Sequence, residues 1–93
     1  MTNVGMQNAG LILGDLREDA RYKALDESGA DNRFVEFRQA VEQAQIRCFA
    51  MYPPDKATEV EIRDLLGALR AECTGTLAQF RSFLDDALAA LDR

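Results

Sequence analysis

The spacing of hydrophobic residues divides most of this chain into two helix-forming stretches separated by two consecutive prolines. In the first stretch, hydrophobic side chains recur every three or four residues, as on one face of an α-helix: Phe34, Phe37, Val41, Ala44, Cys48 and Met51. The same spacing runs further in the second stretch: Ile62, Leu66, Leu69, Cys73, Thr76, Phe80, Phe83 and Ala87. The pattern predicts an all-α fold in which two antiparallel helices, at about residues 32–51 and 58–92, form a helical hairpin.

Local signals place the ends of these two helices. The segment Tyr52–Asp55 contains both prolines and should end the first helix, because proline disfavours helical conformation in the residue before it. Asp31 or Asn32 can cap the start of that helix. Thr58 and Glu61 have the spacing of a capping box at the start of the second helix. Within the second helix, Thr74-Gly75-Thr76 predicts a kink or local unwinding.

A shorter helix is predicted before the hairpin. Asp15 can accept hydrogen bonds from the first free N–H groups of this helix, and Glu18 follows three residues later. Gly29 can end it in the left-handed conformation, which gives a helix at about residues 15–27. Residues 1–10 are polar and contain glycine and asparagine, so they are predicted to form an extended tail.

The second hairpin helix exceeds the first by about 20 Å at 1.5 Å per residue, so its far end needs a covering surface. Either the N-terminal helix covers it within the chain, or another protein molecule does. An uncovered group of large hydrophobic side chains would be a protein-binding surface. The residues predicted to form this interface are Leu11, Ile12, Leu13, Phe80, Phe83, Leu84, Leu88 and Leu91.

The composition argues against catalysis. The chain has 93 residues, enough for a single helical domain over 1–93, and contains no histidine. Without histidine the usual proton shuttle and the commonest metal ligand are missing. No glycine-rich phosphate loop and no cysteine metal-binding spacing occur. We therefore expect a non-enzymatic protein with no catalytic, cofactor-binding or metal-binding residues and no small-molecule substrate.

The charge and hydropathy narrow the range of partners. A net charge of −5 argues against direct nucleic-acid binding, which requires basic patches. No run approaches the roughly 18 consecutive apolar residues of a membrane span, so no membrane partner is expected. The N-terminus lacks the basic region of a signal peptide. These features predict a cytoplasmic protein.

Acidic residues are densest in and around the predicted N-terminal helix: Asp15, Glu18, Asp19, Asp26 and Glu27. Arg17, Arg21 and Lys23 alternate with them, which is typical of a solvated helix face with local ion pairs. The alternative is an acidic surface that docks a basic partner protein.

The two cysteines, Cys48 and Cys73, are predicted to be free. In the predicted hairpin they would lie about 16 Å apart along the helices. A disulfide requires Cα atoms within about 7 Å of each other. Both thiols should therefore be buried and behave as small hydrophobic groups.

The ten residues from Leu16 to Leu25, LREDARYKAL, followed by a charged helical hairpin, resemble small proteins encoded among the structural genes of tailed bacteriophages. This resemblance implies a small component of a virion that acts by packing against other proteins. We accordingly expect a protein–protein interaction or assembly protein that forms a homo-oligomer or joins a larger complex. The alternative is a small acidic inhibitor or antitoxin-like decoy, such as a phage-encoded inhibitor of a bacterial defence system.

Overall fold

A computed structural model describes residues 4–29, 32–50 and 56–92, and this part of the chain is all-helical. The elements are α1 (Val4–Glu18), α2 (Ala20–Ser28), α3 (Asn32–Ala50), α4 (Lys56–Ala71), a 3₁₀ helix (Gly75–Phe80) and α5 (Arg81–Leu91). The predicted all-α class is confirmed for these residues. The predicted turn at 52–55 lies outside them, as do Asp31 and residues 1–3 of the predicted tail.

The four longer helices pack side by side, with α1 against α3, α3 against α4, α4 against α5, and α5 against α1. Contacts between α1 and α3 show that these two helices are antiparallel. Gly10 lies beside Phe49, whereas Arg17, two turns further along α1, donates a 2.7 Å hydrogen bond to the Gln45 side chain. Residue numbers therefore rise along one helix as they fall along the other.

The remaining pairs follow the same rule. Arg47 on α3 pairs with Glu61 on α4. Arg63 on α4 lies 2.9 Å from Asp92 just after α5, whereas Arg70 pairs with Asp85 near the start of α5. Each helix is thus antiparallel to its neighbours, and the described residues form an elongated bundle of 42 × 19 × 18 Å.

The extended tail predicted for residues 1–10 is wrong for residues 4–10, which form the first part of α1. Met6, Ala9, Leu13 and Leu16 recur at helical spacing, and each is at most 1% exposed. Burial of this stripe outweighs the weak helix propensity of the glycine and asparagine between them.

The helix predicted at 15–27 is divided in two, and Asp15 lies within α1 rather than capping it. The break is at Asp19, which has extended backbone angles and whose side chain accepts a 2.8 Å hydrogen bond from the Arg21 N–H. Asp19 is therefore the N-cap of α2. At the other end of α2, Gly29 adopts φ 62°, as the predicted C-terminal glycine should.

The single long helix predicted at 58–92 is also wrong, because α4 ends at Ala71 and α5 begins at Arg81. The interruption includes Thr74-Gly75-Thr76, where the sequence predicts a kink or unwinding. Gly75 has φ 59°, a conformation that glycine adopts without steric cost. This break lets the chain reverse direction, so that α5 returns along α4 instead of extending beyond it.

Four aromatic residues fill one end of the core. Tyr22 meets Phe34 and Phe80 edge to face, with ring centroids 4.9 Å and 5.8 Å apart. Phe37 stacks on Phe80 at 6.1 Å. Because Phe80 is fully buried at the junction of the 3₁₀ helix and α5, this cluster joins that junction to α2 and α3.

Phe80→Ala should lower the free energy of unfolding by about 3–5 kcal/mol, because it leaves a cavity shared by three elements. Gln39→Ala, at an exposed position of α3, should change it by less than about 0.5 kcal/mol. Urea denaturation followed by circular dichroism would measure both. A loss below about 1 kcal/mol for Phe80→Ala would show that the aromatic cluster is not part of a packed core.

Cys48 and Cys73 are both free and buried, which confirms the prediction made from their spacing. Burial raises the pKa of the Cys48 thiol to about 11, and burial is also the main cause that raises the pKa of Cys73. The neutral thiol is therefore the form that the fold favours at both positions.

Both thiols should react slowly with a disulfide reagent in the native protein at pH 8 and rapidly in denaturant.

The pKa of the Cys48 thiol rises from its ordinary value of 9.0 to about 11 in the fold. Its contribution to stability, about 2–3 kcal/mol, is complete below pH 9 and is lost as the pH rises towards 11. Denaturant midpoints of the wild type should fall more steeply over this interval than those of Cys48→Ala. Equal dependence of the two midpoints on pH would contradict the raised pKa of Cys48.

Candidate protein-binding surface

Most of the residues predicted to form an interface are buried in, or half-buried against, the chain's own core. Leu13, Phe80, Leu84 and Leu91 are buried, and Ile12, Phe83 and Leu88 are half-buried against the core. Only Leu11 is largely exposed, at 61%. Of the two coverings that the sequence left open, the structure places α1 against α5 within the chain.

Four large hydrophobic side chains are exposed among the described residues: Leu11 on α1, Ile46 and Phe49 on α3, and Val60 on α4. Between 48% and 61% of each side chain is accessible. We call these four residues the apolar belt. The predicted interface did not include Ile46, Phe49 and Val60, although each is a large hydrophobic residue outside the buried stripe of its helix.

The belt residues lie at nearly the same height on the bundle. Gly10 contacts Phe49, which places Leu11 level with the end of α3. Arg47 pairs with Glu61, which places Val60 at that level too. With a rise of 1.5 Å per residue, all four side chains fall within about 5 Å along the bundle axis. Because α3 lies between α1 and α4, the apolar belt follows part of the circumference of the bundle at this level.

Glycine at position 10 allows the Phe49 ring to rest directly on α1. A Cβ atom built at Gly10 would lie 2.5 Å from Phe49 Cζ and 3.0 Å from Cys48 Cβ. At Gly14, one turn further, a Cβ would lie 3.1 Å from Gln45 Nε2. These two positions let α1 and α3 approach closely, and the helix backbone supports one face of the half-exposed ring.

Acidic side chains of the predicted patch are largely engaged by neighbouring bases. Lys23 donates a 2.8 Å hydrogen bond to Glu18, which lowers the pKa of Glu18. Arg21 donates to Asp19 and lowers its pKa in the same way. Asp26 pairs with Arg38 of α3. These contacts match the solvated face with local ion pairs and leave less free charge for a basic partner.

The other two acids of the patch, Asp15 on α1 and Glu27 on α2, are exposed to solvent.

No group of three or more potential metal ligands occurs in residues 4–29, 32–50 and 56–92. Within the same residues, no helix is both long enough and apolar enough to cross a membrane. The belt is therefore the surface feature that most clearly departs from an ordinary solvated helix face.

Comparison of the chain with protein-family models, curated proteins and solved structures found no match.

Gly10→Ala should lower the free energy of unfolding by about 1–3 kcal/mol, because the new methyl group displaces the Phe49 ring. The higher helix propensity of alanine, about 1 kcal/mol, only partly offsets this loss. In a Phe49→Ala background the same substitution should cost at least about 1 kcal/mol less, since the ring is gone.

A double-mutant cycle measured by urea denaturation tests this coupling. Equal effects of Gly10→Ala in both backgrounds would show that the ring does not rest on α1.

Proposed function

We propose that this chain is a non-enzymatic assembly protein whose copies associate through the apolar belt. The observation that supports the proposal is the exposure of Leu11, Ile46, Phe49 and Val60 at one level of the bundle. About half of each belt residue stays exposed, including Phe49, although its ring also rests on α1. Removal of such a band from water favours association with a second protein surface.

The size of the belt sets the expected strength. Full burial of one such side chain contributes about 1.5–3 kcal/mol, and roughly half of each remains to be buried. The belts of two copies together would contribute about 8 kcal/mol, against an association cost of about 4–15 kcal/mol. With the lowest association cost, about 4 kcal/mol remains, which corresponds to a Kd of about 1 mM, so the oligomer will dissociate on dilution.

We propose a phage virion, or a similar large complex, as the setting for this assembly. The resemblance of residues 16–25 to small proteins of tailed-phage structural genes supports this proposal. In the structure, that segment contributes Leu16 and Tyr22 to the core across the break at Asp19. A weak interface suits such a component, because many contacts of this strength act together in a large assembly.

The acidic decoy has less support. Glu18, Asp19 and Asp26 are each paired with a basic side chain of the same chain. A basic partner would have to displace those pairs before it could use the carboxylates.

Light scattering across a dilution series, from about 10 μM to about 1 mM, tests the proposed assembly. The mass of the wild type should rise above the 10.4 kDa monomer with concentration. Ile46→Glu should remain monomeric, because the belt would then bury an unpaired charge. The matched control is Gln39→Glu, two turns away on the same exposed side of α3, which should behave as the wild type.

Higher salt should not weaken this association, because each copy carries a charge of −5 and repulsion is screened. A wild type that stays monomeric over the whole range would overturn the proposal. Equal loss of association in Ile46→Glu and Gln39→Glu would show that the apolar belt does not mediate the association.

A further inference from the structure

A cleft of about 270 Å³ lies between α3 and α4. Its walls include Phe37 and Ala40 from α3, and Leu65, Ala68 and Leu69 from α4. A second cleft, of about 390 Å³, shares Leu65 and Ala68 and continues towards the other end of the same two helices. We call the combined feature the α3–α4 cleft.

The length of the α3–α4 cleft follows from its end residues. It runs from Arg33 at one end to Arg47 at the other, which is 14 residues of α3 or about 21 Å. This is half of the 42 Å length of the bundle and matches about four turns of a helix. Alanine at positions 40 and 68 keeps the middle open, because larger side chains there would fill it.

The basic residues at the rim are already engaged. Arg33 Nη2 donates to the Glu72 carbonyl oxygen at 3.2 Å and to the Thr74 hydroxyl at 3.0 Å. Arg47 is paired with Glu61. The rim therefore offers little free positive charge to a ligand.

Three acidic residues of the rim, in contrast, are not engaged in ion pairs among the described residues. Glu36, Asp64 and Glu72 line the cleft, and none of them takes part in an ion pair among the residues that the structure describes. Their carboxylates stand beside an apolar floor. A ligand that fits must be apolar on one side and positively charged at its flanks.

From this combination we infer that the α3–α4 cleft binds an amphipathic helix of a partner protein, about four turns long, with lysine or arginine beside its apolar face. Such a helix buries its apolar side chains against the accessible part of the cleft, formed by Ala40, Leu65 and Ala68, while its basic side chains reach the acidic rim. The inference goes beyond self-assembly, because the occupant is a different protein and the cleft extends from the level of the belt to Arg33.

Binding is best measured on Ile46→Glu, so that self-association through the belt does not affect the result. The probe is a fluorescein-labelled synthetic peptide of 16 leucines and lysines, with leucine at helical spacing. Its matched control has glutamate in place of lysine. Fluorescence anisotropy should show the lysine peptide binding at least tenfold more tightly than the glutamate peptide, a difference of about 1.4 kcal/mol.

Two pairs of variants distinguish binding in the α3–α4 cleft from general electrostatic attraction of a basic peptide to an acidic protein. Ala68→Leu fills the cleft and should weaken binding of the lysine peptide at least tenfold, whereas Ala24→Leu on exposed α2 should leave the affinity unchanged. The double variant Glu36→Lys/Asp64→Lys should also weaken binding of this peptide at least tenfold. Asp15→Lys/Glu27→Lys changes the net charge equally but lies outside the cleft, so its effect should be less than threefold.

Circular dichroism would confirm that each variant is folded. The inference is overturned if the lysine peptide does not bind, if the glutamate peptide binds equally well, or if the variants of each pair behave alike. None of these results depends on whether the wild type self-associates, so failure of the cleft and failure of the belt can be told apart.

Discussion

Gly75 adopts φ 59° just after α4 has ended, and the chain then turns back so that α5 runs antiparallel to α4. Arg33 stabilises this turn from α3, because its guanidinium donates to the Glu72 carbonyl oxygen and the Thr74 hydroxyl. A cation near the end of a helix also interacts favourably with the helix dipole. The reversal brings Phe80 into the aromatic cluster, and it places Leu84 and Leu91 where α1 can cover them.

Closure of the bundle determines which surfaces remain for function. Once α1 covers α5, the long hydrophobic stripe of the second half of the chain is satisfied internally. What remains exposed is a smaller set of hydrophobic residues outside the buried stripes, at the level where α1 meets the end of α3. In a chain of 93 residues, internal closure and external association draw on the same limited supply of hydrophobic residues.

Much of the helix content could be predicted from the sequence because it follows from local spacing. The stripe from Phe34 to Cys48 indicated α3, and Gly29 marked the end of α2. The start of α1 at Val4 was missed although Met6, Ala9, Leu13 and Leu16 have helical spacing. The glycine and asparagine between them lower the helix propensity, and packing on α3 and α5 compensates for this. The apolar belt depends on the register of three helices, and the α3–α4 cleft depends on which small residues face each other. Both are tertiary properties that hydrophobic periodicity does not encode.

Helix α3 contributes to both proposed surfaces, which approach each other near Arg47. Phe49 lies near the end of α3 and on the side of α1, whereas Ala40 opens towards α4. Six residues separate Ala40 from Ile46, about 9 Å along the helix, and they project in different directions around its axis. A partner helix in the cleft would come close to the belt only at the Arg47 end, and binding at either surface would stabilise the same helix. Because α3 also carries Phe34 and Phe37, association at either surface should reinforce the core of the bundle.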